Sequence, residues 1–355
     1  MSPQANTTDT TGSPKNPGLS TRTRVLVLVM TALVLATTVT GYVMHSRGDT
    51  AAGPTGSIQL DRPGRILFRD TAPGAGFGHA ATVSAARPGG ARTTGAARCD
   101  RLYTAHGTGI CLQRRGPVPA TYVSVLDRDM HRTRQVKAAG FPNRARVSAS
   151  GAMLSWTTFV QGDSYLRDDF STRTSILDTR TGKLRSNIEG IPLTLEGKAY
   201  HAADVNYWGV NFAADDNTFY ATVRTGGRTY LVKGDYRKWT ARTLRTNAEC
   251  PSLSPDGTRV VFKKRVNASA NRPWRLYVLD LATMRETPLA EVHSIDDQAA
   301  WLDGHTVMYG RPRGSGGGWD VWATPADGTG TPHILIHDAT SPAVMNGGGQ
   351  AGQSR

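Results

Sequence analysis

Two acidic doublets stand out among the residues that could do chemistry, Asp215-Asp216 and Asp296-Asp297. Carboxylates gathered from separate segments can hold Ca²⁺ or a cationic ligand, and paired carboxylates are what cleavage of a polysaccharide requires. The plainer reading is that these aspartates cap backbone amides in turns and at strand starts. A basic set accompanies them: Lys263, Lys264 and Arg265 are contiguous, and Arg144 and Arg146 bracket an alternating run. They are expected on solvated surface or, more sharply, on a basic rim that meets anionic partners. The formal net charge of +14 favours lipid headgroups, acidic wall polymers or an acidic protein face.

Other chemistry finds little support. No Gly-x-Ser-x-Gly elbow lies between a strand and a helix, so a hydrolase nucleophile has no seat. The nine histidines are scattered and Cys-x-x-Cys is absent, so no metal or other cofactor is expected. The Gly-rich pieces at 74–78 and 314–318 lack a following helix and a phosphate-reading lysine, and are loops. Basic and aromatic residues do not interleave as nucleic-acid binding requires, so nucleic acid is not an expected partner.

The elements that must position these residues are strands. In CPSLSPDGTRVVFKKRVNASANRPWRLYVLD (250–280), a short strand is followed by the turn Ser254-Pro255-Asp256-Gly257 and two alternating runs. Pro255 presets φ, Asp256 can accept from nearby amides, and Gly257 takes the positive φ that reverses the chain. Such a unit cannot bury both faces alone and predicts neighbours of its own kind. Units recur at 65–94, 100–138, 145–187, 207–245, 251–290 and 298–338, about 45 residues apart, the spacing of four-stranded propeller blades. The first unit lacks an innermost strand, and Ser341–Met345 matches 251–253 in character. Pairing Ser341–Met345 with Arg65–Arg69 would close a ring and remove its exposed edges. Tyr207, Trp208, Phe212 and Trp301 fall mostly on innermost strands, where packing between blades explains them; stacking on a ligand is the alternative.

Residues 25–44 carry no charge and have the length of about 20 residues that a membrane-spanning helix needs. Basic residues precede the span, which keeps the N-terminus in the cytoplasm and places the rest outside. Cleavage as a signal peptide is the alternative and would release a secreted form. An oxidising compartment suits a disulfide between Cys99 and Cys111, which flank two strands around a His106-Gly107 turn; the alternative is two small buried hydrophobes. Cys250 is left as a buried thiol. The organisation expected is a disordered tail over 1–24, a transmembrane helix over 25–44, a flexible stalk over 45–60, a propeller over 61–346 and a disordered tail over 347–355. The oligomeric state is left open.

The SPDG turn, the VVFKKR run and LYVLDLAT resemble the WD40-like repeat of TolB-type six-bladed propellers, and DVWATPADGTGTP (320–332) looks like that repeat's third strand and following turn. Over 65–345 the chain is similar to the TolB-like translocation proteins of actinobacteria, which join a membrane anchor to this propeller. The resemblance implies an all-β fold, a six-bladed β-propeller preceded by a single N-terminal transmembrane helix, that is not an enzyme and works by binding a protein or ligand in the cell envelope. No α/β domain stands ahead of the repeats, so the specific partners of periplasmic TolB are not carried over. Two rivals remain. A lyase or glycosidase acting on wall polysaccharide needs carboxylates converging in the channel, and a receptor for small anions needs basic side chains ringing it.

Overall fold

The structure, a computed structural model, describes residues 20–48, 56–116, 120–160, 171–268, 272–314 and 317–346. The parts expected as tails (1–19 and 347–355) and much of the expected stalk (49–55) lie outside the described residues. The chain divides into two compact units, residues 1–51 and 52–355.

In the first unit, Thr21–Gly48 is one helix. Ser20 caps it, accepting the Thr23 amide at 3.3 Å. Threonines that dilute its apolar run return their hydroxyls to backbone carbonyls one turn earlier, Thr31 to Val27 at 2.8 Å and Thr38 to Val34 at 2.6 Å, so neither needs water. Over 21–39 the mean hydropathy is 1.7, and the helix is long and apolar enough to cross a membrane.

In the second unit, among the described residues, six sheets form six blades, each built on four antiparallel strands. Innermost strand first, blade one is Ala339–Met345, Arg65–Asp70, His79–Ser84 and Thr93–Arg98, and blade two is Arg101–Ala105, Thr108–Arg115, Ala120–Leu126 and Arg132–Ala138. Blade three is Phe141–Val147, Met153–Val160, Ser171–Asp178 and Leu184–Arg185, and blade four is Asn206–Phe212, Thr218–Thr225, Arg228–Asp235 and Thr240–Thr246. Blade five is Glu249–Leu253, Arg259–Arg265, Trp274–Asp280 and Glu286–Pro288; blade six is Ala300–Trp301, Thr306–Pro312, Trp319–Pro325 and His333–Ile336. The innermost strands touch one another in a closed cycle. Closure is by the C-terminal strand: Arg65 pairs with Met345, Ile66 with Val344 and Leu67 with Ala343. This removes the edges that an open sheet would expose.

The repeat turns explain why the chain folds this way locally. In Ser254-Pro255-Asp256-Gly257, the Ser254 hydroxyl accepts the Arg259 amide at 2.9 Å, Asp256 accepts the Thr258 amide at 3.0 Å, and Gly257 sits at φ 72°. Ser148 plays the same part in blade three, accepting the Met153 amide at 3.0 Å. The cores lie between sheets, as where Tyr207, Phe219, Val223 and Val232 of blade four meet Met153 and Ile176 of blade three. Gly234 stands opposite Phe219 on adjacent strands, and a Cβ there would lie 2.0 Å from the Phe219 ring. Gly234→Ala is therefore expected to cost about 1–3 kcal/mol in urea denaturation, the usual range for forcing bulk into a packed core. An unchanged midpoint would mean that the ring has room to turn aside.

Three features depart from the sequence reading. The helix Thr21–Gly48 is longer than the expected span at both ends, taking in residues 21–24 of the expected tail and 45–48 of the expected stalk. Residues 56–60 are packed rather than stalk-like. Ile58 and Leu60 are buried against Leu67, Cys99 and Leu102, and the Leu60 amide donates to the Arg128 carbonyl at 2.6 Å. Two apolar side chains spaced by one residue suffice to insert a short extended segment between blades one and two. Blade four is also extended, by the hairpin Leu193–Leu195 and Lys198–Tyr200, whose first strand runs parallel to Thr240–Thr246. Three-residue strands carry too little alternation to be read in advance.

Candidate functional site at the propeller axis

Strand alternation gives the ring two faces. One carries the turns between first and second strands. The other, the mouth face, carries the starts of the innermost strands and the loops between second and third strands.

Near the mouth, several innermost strands carry the same bulge. Gly209, Cys250 and Ser341 lie at φ 67°, 52° and 54°, and the pairing register slips around each of them. The bulge turns backbone groups out of the ladder and toward neighbouring blades, where side chains satisfy them. The Cys250 amide donates to the Thr222 hydroxyl at 2.8 Å, and the Leu253 amide to Asn211 Oδ1 at 2.9 Å. From blade six, Gln298 Nε2 donates to the carbonyls of Gly209 at 3.3 Å and Pro251 at 2.9 Å.

Charged side chains from four blades meet inside this collar, which only the axis allows. Asp297 of blade six accepts Arg101 Nη1 of blade two at 3.3 Å and lies 3.9 Å from Arg144 Nη1 of blade three. Its other oxygen accepts the Gly310 amide at 3.1 Å. Asp296 lies 3.6 Å from Arg144 Nη2 and is hydrogen-bonded to Lys263 Nζ of blade five. Lys263 in turn is 3.9 Å from Glu249 and 4.2 Å from the centre of the Trp274 ring. Arg146 reaches across the axis, donating to the carbonyls of Gln298 at 3.2 Å and Ala299 at 2.7 Å, with its guanidinium over the Tyr103 ring. All of these are buried except Arg101, which is partly so, and Asp296, whose side chain is 67% exposed.

The electrostatics follow from burial set against pairing. Burial would raise the Asp296 carboxyl, but Lys263, Arg144 and Arg101 outweigh it and hold the pKa below the usual value. Burial would lower the Arg144 guanidinium, but neighbouring Cys250, Asp297 and Asp296 reverse the shift upward. For Arg101 and Arg146 burial wins and the pKa is lowered. Burial also prevails over Lys263 at Glu249, whose carboxyl is pushed up.

The residues singled out from sequence do not all come together here. Asp296, Asp297, Arg144 and Arg146 do. Arg144 and Arg146 are buried partners of the axis, not solvated surface, because the innermost strand of blade three turns that side inward. Asp215 and Asp216 lie in the turn of blade four on the opposite face. Asp215 occupies the place of Asp256 and accepts the amides of Asn217 at 3.0 Å and Thr218 at 2.8 Å. Asp216 occupies the place of Gly257, at φ 51°, and is committed to the neighbouring blade through Ser150 at 2.7 Å and Arg180 at 3.1 Å. Sγ of Cys99 and Cys111 are bonded at 2.05 Å, and Cys250 is a free, buried thiol. Arg101, Glu249 and Gln298 were not foreseen at the axis. The signal was the recurrence of Cys-Pro-Ser at 250–252 as Ser-Pro-Ala at 341–343, which marks equivalent inward bulges. His333 and His337 have a His-x-x-x-His spacing but stand at opposite ends of an outer strand, and among the described residues no His, Cys, Asp or Glu cluster is suited to a metal.

No protein-family model matches the sequence, and no curated protein matches it. Among solved structures, TolB from Acinetobacter baumannii aligns with a TM-score of 0.52 at 15% identity, over 80% of this chain and 67% of that one. A chain of a nidogen/laminin complex aligns at 0.51 and 11% identity, over 79% of this chain and 98% of that one. The chain thus shares the TolB-type propeller fold.

Proposed function

We propose that the protein is a membrane-anchored, extracytoplasmic propeller that binds an acidic protein partner in the cell envelope with its mouth face. One observation carries this reading. Among the described residues of the propeller unit, the exposed large hydrophobics are Phe77, Phe141, Val266 and Val292. All four belong to that face: Phe77 and Val266 to second-to-third-strand loops, Phe141 to the start of an innermost strand, and Val292 to the link into blade six. Arg69 and Arg114 lie over the rings of Phe77 and Phe141 at 5.1 and 5.7 Å, which makes these patches both apolar and cationic. Surfaces of this kind suit protein contact, and the chain's charge favours an acidic one. The fold shared with TolB and with a chain of a nidogen/laminin complex is in keeping with a propeller that works by contact. The helix over 21–48 supplies the anchor, with its basic flank in the cytoplasm.

A lyase or glycosidase acting on wall polysaccharide has one point in its favour, the upward-shifted carboxyl of Glu249, since a general acid needs a raised pKa. That carboxyl is buried beside Lys263, whereas the open carboxyl, Asp296, is held ionised.

The test is cross-linking of the intact protein in membranes, with an anchor-only control and the double variant Phe77→Ser/Phe141→Ser. The wild type should enrich an envelope protein and the double variant should lose at least about tenfold of it, the size expected when two partly exposed aromatic anchors are removed. Equal capture by wild type and anchor-only control would refute the reading.

A further inference from the structure

The exposed carboxylate at the mouth is held as a ligand would be. Asp296 is the open member of the axial cluster, yet the cations that hold it are built into the fold. The Lys263 side chain is 5% exposed and fixed over Trp274, and Arg144 is 7% exposed and fixed by Asn143 Oδ1 at 2.6 Å and by Asp297. Cations are also in excess. Arg101, Arg144, Arg146 and Lys263 face three carboxylates, Glu249, Asp296 and Asp297, with the Cys250 thiol beside Arg144, and Arg146 has no ion pair among the described residues. Nε of Arg144 and of Arg146 are buried without a hydrogen-bond partner. A fold rarely buries so many guanidinium and ammonium groups in one place without an anion to answer them.

We propose that the axial mouth is a carboxylate-binding site whose resident occupant is the Asp296 side chain, and that a peptide carboxylate displaces it. The exchange is balanced. Asp296 swings from Lys263 and Arg144 into water, and the incoming carboxylate takes the same two cations, bidentately on Arg144 where the fork allows. Binding is weakened by the fraction of time the site is self-occupied, so removing the internal competitor strengthens it. The proposal rests on the mouth face being the binding face and adds the chemical group that the axis reads.

The experiment uses the full-length chain in detergent and three probes: acetyl-Ala-Ala-Ala with a free C-terminus, the same tripeptide amidated, and amidated acetyl-Ala-Asp-Ala. Titration calorimetry at low salt should show the free acid binding Asp296→Asn about tenfold more tightly than wild type, with Asp296→Ala agreeing. Lys263→Met should lose binding and Lys263→Arg should restore most of it, which separates loss of the site from loss of the fold. The amidated tripeptide should not bind. Binding of the Asp-containing amide alone would assign the site to acidic side chains, and binding of the free acid alone to chain termini; both outcomes support the proposal. It is overturned if Asp296→Asn binds none of the probes at about 10 mM, or binds them no better than wild type. Partner capture that persists in Lys263→Met but fails in Phe77→Ser/Phe141→Ser would sink the carboxylate site and leave the proposed function standing.

Discussion

A chain truncated after Asp338 is expected to yield no folded propeller. The truncation removes Ala339–Met345, the innermost strand of blade one, and with it the pairing of Arg65, Ile66, Leu67, Arg69 and Asp70. Ala339, Ala343 and Met345 are fully or almost fully buried, and Met345 packs in one cluster with Leu60, Leu67 and Leu102. The strand also touches the innermost strands of blades two and six, so its loss opens the ring on both sides. Domains of this kind have about 5–15 kcal/mol of stability to lose, and unpairing a buried strand within two packed interfaces exceeds that. Circular dichroism and limited proteolysis of the full and truncated chains decide it. A truncated form that melts cooperatively within a few degrees of the full chain would show that closure contributes little.

Asp297→Ala is the point substitution with the largest expected effect at the axis. It leaves Arg101 and Arg144 without the carboxylate that lies between them, and strips the Gly310 amide of its acceptor. Removing one member of a buried ionic network typically costs about 3–5 kcal/mol, because the remaining charges stay buried and uncompensated. Asp297→Asn, which keeps an acceptor for Gly310 while losing the charge, should fall between wild type and Asp297→Ala. Asp296→Ala makes the milder comparison: its carboxylate is mostly in water, and Lys263 and Arg144 keep Glu249 and Asp297, so its loss should cost about 1 kcal/mol. Urea denaturation of the three variants gives the ranking. Equal midpoints for Asp296→Ala and Asp297→Ala would mean that the cluster does not hold the blades together.

How far the sequence could be read depends on the range over which each signal acts. The turn at 254–257 is legible because Pro255 and Gly257 restrict their own backbone and Asp256 bonds to an amide two residues on; the same logic places Asp215 in a turn. Alternation of period two marked most strands, and regular spacing of the units required a ring. Closure by Ser341–Met345 followed from a missing strand at one end of the repeats and a spare one at the other. The stretch 56–60, expected as stalk, packs instead because its partners lie in blades one and two, beyond the reach of any local pattern.

The order of strands, the turns, the number of blades and the apolar helix were thus determined by local and periodic features of the chain itself. What the tertiary structure alone decided is which charges are functional candidates. Arg144 and Arg146 look like any surface arginines in a strand of mixed polarity, and Asp215-Asp216 looks no different from Asp296-Asp297. The doublets separate only when the ring closes, because closure places one on a turn at the far face and the other on the axis, where Arg101, Arg144 and Lys263 converge from three other blades. Burial and opposite charge at that point come from residues as far as 196 positions apart in the chain, and no local pattern encodes a distance of that kind.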